Sequence, residues 1–461
     1  MRSLYWSYLI LGAVAVLAAV ATTTQAADIF GDLVVNSGST YPLANDDLNV
    51  YGNVLVKSGG TLDLRNVNLA LMCASEGQYT LKVEAGGEYL HNGGTIGTGS
   101  SYRFKFEVFG QMTLEGVTVS NTWGTGGAFD PTSGADPDLA DLRGGIQIYS
   151  SAVHVGNCTL ENGLLTMVYV GSGVTPAIQG CTIRNVQYNV KSYYQSAASS
   201  PSTTRYSAMA FGVLLDGGAA TVDGVTFTDI GVFSTMTSIY YRDQAVNNNE
   251  YRVIAAAVAA RSTELKVESC TVSKVGVLTK ASDTFDSGGN TVNQYFYQYR
   301  VAGLYGFHAK GSSVQANTVT DCSWGMYVSV DPSSPGGPTM TFDVIIDNTL
   351  TRNSMGGAFF SLSTVRAPVI INVSDNNIDH SGVAPVGLLE DCGLLVTATG
   401  CTAELKVILQ QNRFDTNIGR GALVDVHAHG AALSVEASST NVFTGNGAAG
   451  LKVVADTVTG N

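Results

Sequence analysis

Apolar and polar positions alternate along this chain in short runs. After residue 30 the order is LVVNSGS (33–39), LNVYGNVLVKSGG (48–60) and TLDLRNVNLALM (61–72), followed by YTLKVEAGG (79–87) and YRFKFEVFG (102–110). A period of two sends alternate side chains to opposite faces of an extended strand, so each run predicts a strand with one buried face. The Gly, Ser and Asn clusters between runs predict the turns. Strands this short and this regularly spaced fit a sandwich, a barrel or a solenoid.

A recurring seven-residue phrase decides among them. It reads EGVTVSN (115–121), GNCTLEN (156–162), QGCTIRN (179–185), DGVTFTD (223–229), ESCTVSK (268–274), QANTVTD (315–321), IDNTLTR (346–352), SDNNIDH (374–380), QQNRFDT (410–416) and STNVFTG (439–445). Every copy has an apolar fifth residue, and most have Thr before it. Third-place residues step by as little as 23, from Cys158 to Cys181. That is the length of one solenoid coil. Between phrases a second strand begins with Gly, as in FGVLLDG (211–217), GGAFFSL (356–362), GLLVTAT (393–399) and GALVDVH (421–427). Coil upon coil, these strands form parallel sheets, with Cys158 over Cys181 and Asn317 over Asn348. The third-place asparagines Asn317, Asn348, Asn376, Asn412 and Asn441 then form an amide ladder. Earlier coils fill the same column with Val and Cys.

With this ladder and the N-T-apolar phrase, the chain resembles the right-handed parallel β-helix proteins of the pectate-lyase-like superfamily, especially the exported repeat proteins of microbial cell surfaces. The resemblance covers roughly 31–461. It implies an all-β, single-stranded right-handed parallel β-helix, a solenoid over 28–461 with long loops on one edge. It says little about function, because this fold carries lyases, hydrolases, adhesins and fibres alike. Polygalacturonase-like members need a trio of Asp residues, a Gly-His-Gly and an Arg-Ile-Lys. The nearest match here is Ala428-His429-Gly430, with nothing for the last, so no catalytic residue carries over.

Candidate chemistry falls in two places. Inserts at 122–143, 190–210, 230–252 and 275–300 follow the phrase and precede the Gly-led strand, so they project from one edge. They bring Trp123, Tyr193, Tyr194, Tyr240, Tyr241, Tyr295 and Tyr297 near Asp243 and Asp286. Aromatic faces stack on sugar C–H groups while carboxylates bond hydroxyls, which points to a polysaccharide or surface glycan. The plainer alternative is that these rings pack the inserts onto the body. In ALVDVHAHG (422–430), alternation turns Asp425, His427 and His429 outward on one face, and register with GLKVVAD adds Asp456. Two imidazoles and two carboxylates could hold a divalent cation or form an acid–base set, whereas a polar outward face is the ordinary alternative. No cofactor is required by anything else in the chain.

Composition narrows the partners. With 24 Lys+Arg against 37 Asp+Glu and a net charge of −13, the chain argues against nucleic acid. Residues 1–27 read as an export signal, with Arg2, an apolar run over 9–21 and small residues before a cleavage point at 26 or 27. A retained anchor helix is the rival reading, and it would be the chain's one contact with a membrane. Seven cysteines leave at least one unpaired, and Cys392 with Cys401 is the most plausible pair. A strand stops just short of Asn461, which predicts either a continuation or end-to-end self-association. The leading expectation is an exported surface β-helix that binds glycans or neighbouring surface proteins along its insert edge. A polysaccharide lyase or hydrolase and a structural spacer remain the alternatives.

Overall fold

A computed structural model describes residues 26–126, 142–195, 202–232, 246–276, 282–287, 290–330, 332, 337–379 and 392–456. Residues 1–25 of the expected export segment, Tyr240, Tyr241, Asp243 and the last five residues lie outside these. Among the described residues every regular element is a strand. Most are joined in parallel to the equivalent strand one coil on. The molecule is a parallel β-helix, with three strand columns per coil. One sheet bends at a corner in each coil and supplies two columns, for example Val153–Gly156 and then Thr159–Glu161; the Gly-led strands form the other sheet.

The phrase is the bent corner together with the strand after it. Its second residue takes a left-handed backbone at Gly116, Asn157, Gly180, Gly224, Ser269, Ala316, Asp347, Asp375 and Gln411. Its seventh does the same at Asn121, Asn162, Asn185, Asp229, Lys274, Asp321, Arg352 and Thr416. Gly and Asn tolerate that conformation best, which explains their frequency at these two places. Between the two bends the third and fifth residues point inward. Val117, Cys158, Cys181, Val225, Cys270, Asn317, Asn348, Asn376 and Asn412 are all buried. The register pairs Thr159 with Thr182 and Thr318 with Thr349, which sets Cys158 over Cys181 and Asn317 over Asn348.

The glycine that leads the other strand column has a steric cause. A Cβ added at Gly325, Gly357, Gly393 or Gly421 would lie 2.6–2.7 Å from the carbonyl oxygen of the glycine one coil on. No side chain fits that approach. From Tyr169 to Leu423 the body of this sheet is buried on both faces. Its inner residues join the main core, while Tyr169, Leu214, Ala259, Tyr305, Phe359, Leu395 and Leu423 belong to a second apolar cluster on the other side. Gly-led runs such as GVLLD and GLLV are continuously apolar for this reason.

Two expectations are corrected. Cys392 and Cys401 are unbonded, as are the other five cysteines, and all seven are buried. The extended strand Cys392–Thr399 separates the pair, and at about 3.3 Å per residue they stand some 20 Å or more apart, beyond disulfide reach. The described parts of the last three inserts, expected as loops, are largely strand, as described next.

Candidate functional site

Three strands of the sheet that holds the Gly-led runs extend far past the body. Ser202–Asp216, Val246–Arg261 and Asn290–Ala309 pair in parallel along their lengths, so that Thr203, Asn248 and Asn293 share a row. The preceding coil reaches only as far as Phe211, and the following one begins at Ala302. The outer part of each strand therefore projects about 30 Å, taking ~3.3 Å per residue. Antiparallel strands cover part of both free edges: Asn189–Gln195 lies against Thr204–Met209 of the first long strand, and Ser282–Ser287 against Asn290–Tyr295 of the last. A five-stranded wing results, with much of its outer edge covered.

Alternation gives the wing two unlike faces. Asn249, Tyr251 and Val253 are buried on the side continuous with the core, where Tyr206 stacks on Tyr251 at 4.9 Å and 14°. Burial, with Tyr206 beside it, holds the Tyr251 hydroxyl well above the ordinary phenol range. The opposite face is polar and half-buried. There Arg205 Nε donates to Glu250 Oε2 at 2.9 Å, Arg252 approaches the same oxygen at 3.6 Å, and Asn293 Nδ2 donates to Asn248 Oδ1 at 3.0 Å.

The sequence-marked residues distribute as follows. Tyr295 is half-buried and lies opposite Glu250, and Tyr297 lies opposite Arg252. Tyr194 lies opposite Arg205, with Tyr193 at a register shift beside it. Asp286 lies opposite Thr291 in the edge strand. The side chains of Tyr193, Tyr194, Tyr297 and Asp286 are outside the described set. Trp123 is not in the wing; it occupies the same corner in an earlier coil, with the Lys105 ammonium 5.0 Å over its ring. Sequence inspection missed Arg205, Glu250 and Arg252, although TRY (204–206) and EYR (250–252) repeat the same mixture of charge and tyrosine.

The second constellation assembles only in part. His427 is in register with Asp456, with Nδ1 2.7 Å from Asp456 Oδ1 and Nε2 2.9 Å from Asp425 Oδ1. Carboxylate oxygens accept and do not donate, so this geometry suits the doubly protonated imidazolium. The hydrogen bond to Asp456 and the charge of Asp425 raise the His427 pKa above its ordinary value. His429 does not share the face. Ala428 takes a left-handed backbone, which breaks the alternation and turns His429 into the core, fully buried, with Nε2 3.3 Å from the Ala432 carbonyl. Among the described residues, no group of three or more His, Cys, Asp or Glu side chains is placed to hold a metal ion.

A further set escaped the sequence reading. Five residues after the ladder runs a second one: Asn353 Oδ1 accepts from the Cys322 N–H at 3.2 Å, and Asn417 Nδ2 donates to Asn446 Oδ1 at 3.0 Å. The spacing N-x-x-x-x-N in NTLTRN, NRFDTN and NVFTGN is its signal.

No family model matches the chain, and no curated protein does. Among solved structures it is similar to a TibC-catalysed, hyper-glycosylated TibA fragment, at 11% identity over 95% of this chain and 100% of that one, with a TM-score of 0.25. A likeness that shallow is silent on function.

Proposed function

We propose that this chain is an exported surface protein whose β-helix carries the wing as a glycan-binding platform and leaves the bound chain uncut. The wing is the observation that carries the reading. Three adjoining strands hold tyrosine, asparagine, arginine and glutamate in straight rows on one half-exposed face, with a spacing of ~4.8 Å between rows. An extended sugar chain can lie along such rows, stacking on rings and bonding to side-chain amides and charges.

Binding without cleavage is favoured by the one histidine that approached a superfamily motif. His429 is wholly buried and cannot touch a substrate. The test is incubation of the purified protein with a panel of neutral and acidic polysaccharides, reading both retention and new reducing or unsaturated ends. Retention without new ends is the expected result. Product formation would replace the reading with a lyase or hydrolase, and neither retention nor product would leave a spacer.

A further inference from the structure

We infer that Asn157 is a glycan attachment site, whose side-chain amide takes an oligosaccharide from a lipid-linked diphosphate donor during export. This rests on the export part of the reading above and not on the wing. The acceptor pattern Asn-x-Ser/Thr occurs at Asn157-Cys158-Thr159 and again at Asn372-Val373-Ser374. A transferase must reach the amide and the hydroxyl two residues on. Both copies bury the middle residue, Cys158 or Val373, and leave its neighbours at the surface. Their surroundings differ.

Asn157 stands exposed at the second-place bend, with its backbone left-handed at φ 52°. The stacked bends of the coil before and the two coils after hold glycine, at Gly116, Gly180 and Gly224, each exposed. Asn157 therefore supplies the one side chain along four bends. Its Nδ2 donates to Glu115 Oε1 at 2.6 Å, towards the coil of Gly116. A Cβ added at Gly116 would meet nothing within 4 Å, so that side is open. On the other side a Cβ at Gly180 would lie 2.6 Å from Asn157 Oδ1, and glycine there is what leaves the amide its place. Asn372 has no such room. It lies half-buried inside strand Val369–Ser374, with Asp343 and Ile408 in register on either side, at the ~4.8 Å spacing of neighbouring strands.

The transfer needs no oxidant or reductant. Asn157 Nδ2 bonds to the anomeric carbon of the donor sugar, the bond from that carbon to the diphosphate oxygen breaks, and the lipid diphosphate leaves. The amide gives up one proton. A primary amide has two N–H groups, so the one that remains can keep the hydrogen bond to Glu115. The product is a bulky, solubilising group on a bare strip of the surface.

Glycopeptide mass spectrometry of the full chain, isolated from the cells that make it, reads the occupancy of both sites. Asn157 should carry added hexose-type mass at severalfold higher occupancy than Asn372. Asn157→Gln should remove that mass, and Asn372→Gln should leave it. Gln411 already occupies the equivalent left-handed bend in a later coil, so the first variant suits the backbone. Thr159→Val is the companion variant: it keeps the branched shape of the strand residue, removes the hydroxyl, and should abolish the modification with an unchanged melting curve. An exported chain bare at Asn157 would overturn this inference alone, whatever the wing retains. Equal or higher occupancy at Asn372, or added mass that survives Asn157→Gln, would overturn it as well. A chain found only inside the cell and unmodified would remove both this inference and the export reading.

Discussion

One column of side chains runs up the inside of this helix and changes chemistry partway. Below, it is Val117, Cys158, Cys181, Val225 and Cys270; above, Asn317, Asn348, Asn376, Asn412 and Asn441. The two halves do the same task with different groups. Cys270 Sγ reaches the carbonyls of Glu268 and Val222 at 3.2 and 3.5 Å, and Asn317 Nδ2 reaches those of Gln315 and Val267 at 2.8 and 3.0 Å, the same two places one coil on. The thiol is thus a weak copy of the amide's donor. What it lacks is an acceptor of equal strength. Val225 N–H meets the Cys270 sulfur at 3.4 Å, whereas Cys270 N–H meets the Asn317 oxygen at 2.9 Å. An amide ties its coil to the one before by donating and accepting; a thiol mainly fills space.

Cutting the amide half should have the largest effect. Asn348 donates to Val314, Ile345 and Asn376, and accepts from both the N–H and the amide of Asn317. Asn348→Ala should destabilise by about 3–5 kcal/mol, since several buried groups lose partners together. Urea unfolding would measure the loss, and faster hydrogen exchange at Asn317 would place it. A small effect spread evenly over the chain would mean that the ladder adds no more than the thiols do.

Acid should loosen the lower coils instead. His91 lies buried between the Tyr89 hydroxyl at 2.7 Å and the Val67 carbonyl at 3.0 Å, and burial lowers its pKa to about 4. Below its ordinary value the unfolded chain takes up a proton that the folded one refuses, so stability falls as pH drops from about 6.5 to about 4. The loss is about 3 kcal/mol at 1.36 kcal/mol per pH unit. Stability of His91→Gln measured across that window should be correspondingly flatter.

A conversion at the boundary sharpens the comparison at lower cost. Cys270→Asn offers Val225 N–H a true acceptor and keeps both carbonyl contacts, so stability should stay within about 1 kcal/mol or rise. A fall of several kcal/mol would show that the lower coils are packed too tightly for an amide. Thiol chemistry offers a parallel check. Burial pushes the Cys270 and Cys322 thiols up to about 12, so alkylation at neutral pH should wait for unfolding.

The fold was legible because the phrase encodes backbone directly. Gly, Asn or Asp at its bends and an apolar residue between them leave little freedom for the strand. The amide column was legible for the same reason. The wing was not, since strands longer than one coil face need partners that only the stacking of three inserts provides. The position of the inserts could be read; their conformation depended on each other. His429 was misplaced because Ala428 takes a left-handed bend that nothing in its side chain favours. The apolar outer face of the Gly-led sheet did leave a trace in its unbroken hydrophobic runs.

The smallest effect belongs to a tie made on the surface. His427 joins strand Arg420–His427 to strand Leu451–Asp456 through Asp456, and braces itself on Asp425 within its own strand. Its raised pKa means that the folded chain holds the proton more firmly than the unfolded one. The stabilisation is therefore complete below the ordinary histidine value and is lost as pH rises through the raised folded value. His427→Gln should lower stability slightly near pH 6 and leave it unchanged near pH 9, by melting curves at the two values. Because the Asp456 hydrogen bond is the leading cause, Asp456→Asn should bring the His427 titration midpoint down further than Asp425→Asn, as followed by NMR. The reverse order would place the tie within one strand, and the two coils would then be joined here by their backbones and the amide column alone.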